Sequence, residues 1–245
     1  MTVRSAGRLY TVAEAAKRLS ITDRRVRSLI QSGELQAVHA APRIALITEE
    51  SLIRLALREK RAGRPYSSET AMGALYLLSG ESIDWLSVRK RYEIRRLLKE
   101  TDADAFVRNI RHRADVHEYW ANALFLDRLS GSGDICRSGG CEGMAEYFEL
   151  SPSELVEGYV EESDLPMLKS RYMLKELAEP KKVRFHVVRG CPIRGRRVMP
   201  VAVCAADLAD SIDPRERNAG MGRLAALLRD FQGEHHDKSG NSDSV

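Results

Sequence analysis

The chain has 245 residues, of which 43% are apolar and 30% charged, a length that suits one large domain or a small one joined to a larger one. No apolar run approaches the roughly 18 residues that cross a bilayer, and Met1 to Tyr10 lacks the hydrophobic centre of a signal peptide, so a cytoplasmic protein without a membrane partner is expected. Charge divides the chain unevenly: residues 1–65 hold 13 Lys and Arg against 6 Asp and Glu, while residues 66–245 hold 26 against 29. Positive charge gathered on one short segment is the electrostatic footprint of a protein that displaces counterions from phosphates.

Thr11 stands three residues before Glu14, a capping-box spacing in which each side chain satisfies an orphan amide at a helix start. Val12, Ala15, Ala16 and Leu19 then recur at helical spacing, Ser20 and Ile21 interrupt, and Thr22 offers a second N-cap. In the helix that follows, Val26, Leu29 and Ile30 make one apolar stripe, with Arg24, Arg25, Arg27, Ser28 and Gln31 on the other faces and Gly33 as the stop. Arginine can donate twice to a guanine edge, and glutamine can both donate to and accept from adenine, so this helix carries residue types that read bases in a major groove. The bland alternative is a solvated basic face on a core helix. Two short extended runs, Leu35 to His39 and Arg43 to Thr48, flank Ala40, Ala41 and Pro42 as a hairpin would, and Thr48 then caps a third helix with Glu49 and Glu50 in its first turn.

The order LYTVAEAAKRLSITDRRVRSLIQSGELQAV resembles the winged helix-turn-helix of the excisionase and MerR-like group, over about the first quarter of the chain. By position, that resemblance implies that Thr22, Arg24, Arg25, Arg27, Ser28 and Gln31 lie near DNA and that Arg43 sits on the wing. The wing itself reads APRIAL, without the aromatic residue that the group often places between basic ones.

Residues 58–68, REKRAGRPYSS, read as a linker. Ser67 or Ser68 caps a helix through Leu78 with Gly80 as its stop. A helix from about Ser87 to Lys99 presents Arg89, Lys90, Arg91, Arg95, Arg96 and Lys99, expected as a solvated face around buried Val88, Tyr92, Ile94, Leu97 and Leu98 rather than as a second phosphate contact. Asp102 to Ala114 reads as a helix with Phe106, Val107 and Ile110 inward and Arg108, Arg111 and Arg113 outward. Strands are expected at Val116 to Trp120, Ile135 to Ser138, Val156 to Val160 and Val183 to Val188, and the apolar run Val198 to Ala206 would suit a central strand. Glu161 to Leu177 is expected to be largely helical, and Asp213 and Pro214 start a last helix reaching about Phe231. The tail GEHHDKSGNSDSV holds too little apolar matter to pack.

This half resembles the C-terminal domain of AbiEi-family antitoxins, in the pieces RHRADVHEYW, ICRSGGCEGMAEYFEL, VEGYVEESDL, VRFHVV and MPVAVCAADLADSIDPRERNAGMGRL. Such a domain implies a bacterial type IV toxin-antitoxin or phage-defence locus, control of the protein's own operon, and a functionally linked nucleotidyltransferase-type toxin. Catalytic signals are weak. Glu179, Lys181, Asp164, Asp207 and Asp210 could be assembled into a nuclease site, but Pro180 argues against an interior strand for the acid–lysine pair, and Asp207 and Asp210 read as a strand terminus. Cys136, Cys141, Cys191 and Cys204 include only one pair near zinc-ligand spacing, so buried thiols are the default.

The expectation is an α+β protein: a winged helix-turn-helix at 1–62, a linker and helical bridge at 63–114, a C-terminal α/β domain with a small mixed sheet at 115–232, and a disordered tail at 233–245. Its function is expected to be sequence-specific transcriptional regulation through operator duplex DNA, with a homodimer on the DNA and the toxin as further partners. No catalytic residue, cofactor or metal is expected. A one-component regulator whose second domain senses a small ligand is the alternative, and a nuclease the third.

Overall fold

The computed structural model describes residues 9–19, 21–31, 35, 37–41, 44–49, 51–53, 55, 65–151, 153–176 and 180–239. It is a mixed α+β structure with small sheets, divided into two compact units, Met1–Ala62 and Gly63–Val245.

In the first unit, helix α1 (Val12–Leu19) opens on the capping box: the Thr11 amide donates to Glu14 Oε2 at 2.8 Å and the Glu14 amide to Thr11 Oγ1 at 3.3 Å. A tight turn follows, in which the Ile21 amide donates to the Ala16 carbonyl at 3.0 Å, and α2 (Asp23–Gln31) begins. Strands β1 (Leu9–Tyr10), β2 (Ala37–Ala41) and β3 (Ile44–Thr48) form an antiparallel sheet in the order β1-β3-β2. Residues 49, 51–53 and 55 are helical, and the Ser51 amide donates to Thr48 Oγ1 at 3.3 Å. The core is Tyr10, Ala15, Ala16, Val26, Leu29, Leu35, Ile47, Leu52 and Leu55, so the apolar stripes of both helices enter one core with Ile47 of the hairpin. Gly33 lies outside the described residues.

The second unit begins with three helices, each capped by the side chain before it: α3 (Ser68–Leu78) by Ser67, α4 (Val88–Glu100) by Ser87 and α5 (Ala103–Asn109) by Asp102. Strands β4 (Asp115–Tyr119), β5 (Cys136–Arg137), β6 (Val156–Glu161) and β7 (Val183–Val188) form a mixed sheet in the order β4-β7-β6-β5, with β6 and β7 parallel and the outer pairs antiparallel. Helices α6 (Ala123–Gly131), α7 (Met144–Tyr147) and α8 (Leu165–Arg171) lie between strands, and α9 (Val201–Ala209) and α10 (Pro214–Ser239) end the chain. One face of the sheet packs Tyr119, Val160, Val183, Phe185 and Val187 with Leu129 of α6 and Leu168 of α8. A second, larger core gathers α3, α4, α5, α9 and α10 with Tyr159 and Val188 of the sheet.

Several sequence expectations change here. The run Val198 to Ala206 is not a central strand: Pro200 caps α9, which is buried all round. A short apolar run fits a buried helix and a buried strand equally well, and Ala202, Ala205, Ala206 and Ala209 favour the helix. Residues 63–114 are not a separate bridge, because α3, α4 and α5 share a core with α9 and α10. Helix α6 was not expected at all, and α10 continues past Phe231 to Ser239, into the stretch expected to be disordered. Glu179 lies outside the described residues.

Candidate functional site

On α2, Val26 and Leu29 are buried and Ile30 is half-buried, which fixes the helix by one side. With about 3.6 residues per turn, Arg24, Arg27, Ser28 and Gln31 fall on the opposite side, Arg25 falls on the flank, and all five side chains are exposed. Thr22, just before the helix, is exposed and accepts from the Arg25 amide through Oγ1 at 3.2 Å, so it holds the helix start as a cap. Asp23 occupies the first turn, where its charge complements the helix dipole. Six of the seven sequence-derived residues are therefore brought to one short helix and its cap. Arg43 lies outside the described residues.

The second unit contains a polar assembly that sequence reading missed. Arg113, expected to point outward, is buried with a side chain 4% exposed, beside Asp207 at 0%. Its Nη2 donates to Asp207 Oδ1 at 2.6 Å, its Nε to the same oxygen at 3.0 Å, and its Nη1 to Asp210 Oδ2 at 2.8 Å. The Tyr159 hydroxyl donates to Asp207 Oδ1 at 3.0 Å, and Ser138 Oγ donates to Asp207 Oδ2. His186 stacks on Tyr159 with ring centroids 4.7 Å apart, and its Nε2 lies 2.9 Å from Glu157 Oε1. Along the same sheet face, Arg184 of β7 reaches Glu118 of β4 at 2.8 Å and Glu157 of β6 at 3.4 Å, a row across three strands.

Electrostatics move Glu157 and Tyr159 of this assembly in opposite directions. Burial pushes the Glu157 carboxyl up, but the charge of Arg184 and the hydrogen bond and charge of His186 outweigh it and hold the group at about 2. Burial also pushes the Tyr159 hydroxyl well up, with the Asp207 charge adding to it. The signal for Arg113 was present in the sequence: Phe106, Ile110 and Arg113 are spaced as one helical face, and the first two are apolar. Its partners, 46 to 97 residues away, carried no local mark.

Asp207 is thus on a helix and fully engaged, rather than a strand terminus facing solvent. Asp164 is paired with Arg194 at 3.2 Å. All four cysteines are buried free thiols. Burial pushes Cys136 up to about 12 and Cys191 to about 11, and raises Cys141 and Cys204, so at neutral pH they are protonated and poor nucleophiles. Among the described residues, no cluster of three or more His, Cys, Asp or Glu could hold a metal ion. A cleft of about 370 Å³ is lined by Asp134, Cys136, Glu161, Asp164, Arg194 and Arg196, among others. Its charges are largely satisfied within the protein, Asp134 by Arg171 at 2.9 Å and Tyr172 at 2.6 Å, and Arg196 by Glu81 at 2.8 Å. No helix among the described residues is long and apolar enough to cross a membrane.

No protein-family model, curated protein or solved structure matches the chain.

Proposed function

We propose that the chain is a sequence-specific, DNA-binding transcriptional regulator whose first unit is a winged helix-turn-helix. The observation that carries this reading is the exposed row Arg24, Arg27, Ser28 and Gln31 on α2, opposite buried Val26 and Leu29 and one tight turn after α1. Helix α2 is the reading helix, Thr22 and Arg25 lie at its margin, and the hairpin of β2 and β3 is the proposed wing. Arg43 is proposed for that wing on the sequence resemblance alone.

The second unit is an interaction domain without catalysis, in an autoregulating antitoxin of a bacterial toxin-antitoxin or phage-defence locus, acting in the cytoplasm. A non-catalytic role is supported by the state of its carboxylates and thiols: Asp207 accepts from three side chains, Glu157 from two, and the cysteines are protonated. The ligand-sensor reading finds a cleft of adequate size, but most of the charges lining it are already paired.

Selection of duplexes from a random-sequence pool by the full chain tests the reading. An enriched sequence placed in a promoter should be repressed when the chain is expressed, and purified protein with magnesium or manganese should leave DNA and RNA intact. Failure to enrich any sequence contradicts the regulator; metal-dependent cleavage that co-elutes with the folded protein contradicts the non-catalytic second unit.

A further inference from the structure

Helix α4 of the second unit departs from its sequence reading in one respect. Ile94 and Leu98 are buried as expected, but Val88 is 73% and Tyr92 68% exposed, the two most exposed large apolar side chains among the described residues. With about 3.6 residues per turn, Val88, Tyr92, Arg95, Arg96 and Lys99 share one outward stripe, so an aromatic ring lies among three cations. Of the remaining basic residues of the helix, Arg89 and Lys90 share Glu93, and Arg91 pairs with Asp84. Arg96 is 3.9 Å from Glu100, with both side chains mostly exposed, and Arg95 and Lys99 have no ion-pair partner among the described residues. The first turn holds Arg89, Lys90 and Arg91 and no acid, which opposes the helix dipole, whereas Lys99 in the last turn complements it.

We propose that the outward stripe of α4, with Arg95, Arg96, Lys99 and Tyr92, is a second contact with duplex DNA, made to the phosphate backbone. A row of exposed cations, of which Arg95 and Lys99 have no ion-pair partner among the described residues, matches a polyanion, and a ring with a hydroxyl can pack on sugar and donate to a phosphate oxygen while carrying no base code. The stripe therefore adds affinity without adding specificity. This rests on the reading of the chain as a DNA-binding regulator, and deepens it by giving the second unit a share of the binding.

The test uses the full chain and a labelled duplex that the wild type has enriched from a random pool. Binding is measured against salt for wild type, Arg95→Gln with Lys99→Gln, Tyr92→Ala, and Arg27→Ala on α2. Each phosphate contact contributes about 0.9 to the slope of log K against log salt, so the double variant should lower it by about 1.8. Tyr92→Ala should weaken binding at every salt concentration and leave the slope unchanged. All three positions are solvent-exposed, so the thermal midpoint should not move. An unchanged slope in the double variant, with Arg27→Ala still weakened, overturns the α4 contact and leaves the regulator reading standing. A wild type that binds no duplex overturns both. Vesicles of phosphatidylglycerol that bind the wild type and lose it in the double variant, with DNA binding unaltered, would assign the stripe to a membrane surface and also overturn the proposal.

Discussion

Arg113 and Asp207 are a buried pair whose members were each read from sequence as solvent-facing. Removing one partner from such a pair leaves an uncompensated charge without water, which typically costs about 3–5 kcal/mol. Asp207→Ala leaves Arg113 with the Asp210 carboxylate and takes the acceptor from the Tyr159 and Ser138 hydroxyls, so it should lower the unfolding free energy of the second unit by about 3 kcal/mol in urea denaturation, and Ser138→Ala, which removes one neutral donor, by about 1 kcal/mol. A loss for Asp207→Ala no larger than that for Ser138→Ala would show that the pair is not held as described. Glu157 carries a pH dependence of known sign. Its folded-state value is about 2 against an ordinary 4.5, so the native state binds the proton less tightly than the unfolded chain. Stability from this group is fully present above pH about 4.5 and is lost as the pH falls through about 2. Denaturant midpoints across that window should therefore fall less steeply in Glu157→Gln than in wild type, and parallel curves would contradict the assignment.

Elements marked by local chemistry were legible in the sequence. The capping box at Thr11 and Glu14, the Thr22 cap and the stripe of Val26 and Leu29 place α1 and α2 within a residue or two of where they lie. Strands β6 and β7 were legible for a similar reason, as short Val-rich runs bounded by polar residues. Where burial is uniform the local signal fails: α9 has no polar face, so periodicity could not separate helix from strand, and its alanines were the better guide. The sequence also could not show that Tyr92 faces solvent, since that depends on where Ile94 and Leu98 find the core. Close packing of α9 on α10 needs a glycine: a Cβ on Gly220 would lie 2.4 Å from the Ala205 carbonyl oxygen and 2.4 Å from the Ala209 amide nitrogen. Backbone cannot yield as a flexible side chain would, so Gly220→Ala should destabilise the second unit by about 1–3 kcal/mol. Gly222→Ala is the control, because nothing lies within 4 Å of its Cβ and a helical alanine there should be neutral or stabilising.

Across the whole molecule, charge is apportioned unevenly between the two units. Residues 1–65 carry the net positive charge and the exposed row on α2, while the remainder is acidic overall and keeps an exposed basic stripe on α4. In the proposed account the first unit supplies sequence specificity, and the second adds non-specific affinity and the interaction surface of an antitoxin. Base-reading contacts are worth about 1–3 kcal/mol each, whereas phosphate contacts act alike on every sequence. The two roles therefore separate in one titration. The most direct measurement is the affinity of the full chain for its enriched duplex and for a scrambled duplex, in wild type and in Arg24→Ala, Arg27→Ala and Gln31→Ala taken singly. The account predicts that each variant loses roughly fivefold to over a hundredfold on the enriched duplex and much less on the scrambled one, with circular dichroism unchanged. Variants that bind the enriched duplex as tightly as the wild type would contradict the assignment of α2 as the reading helix.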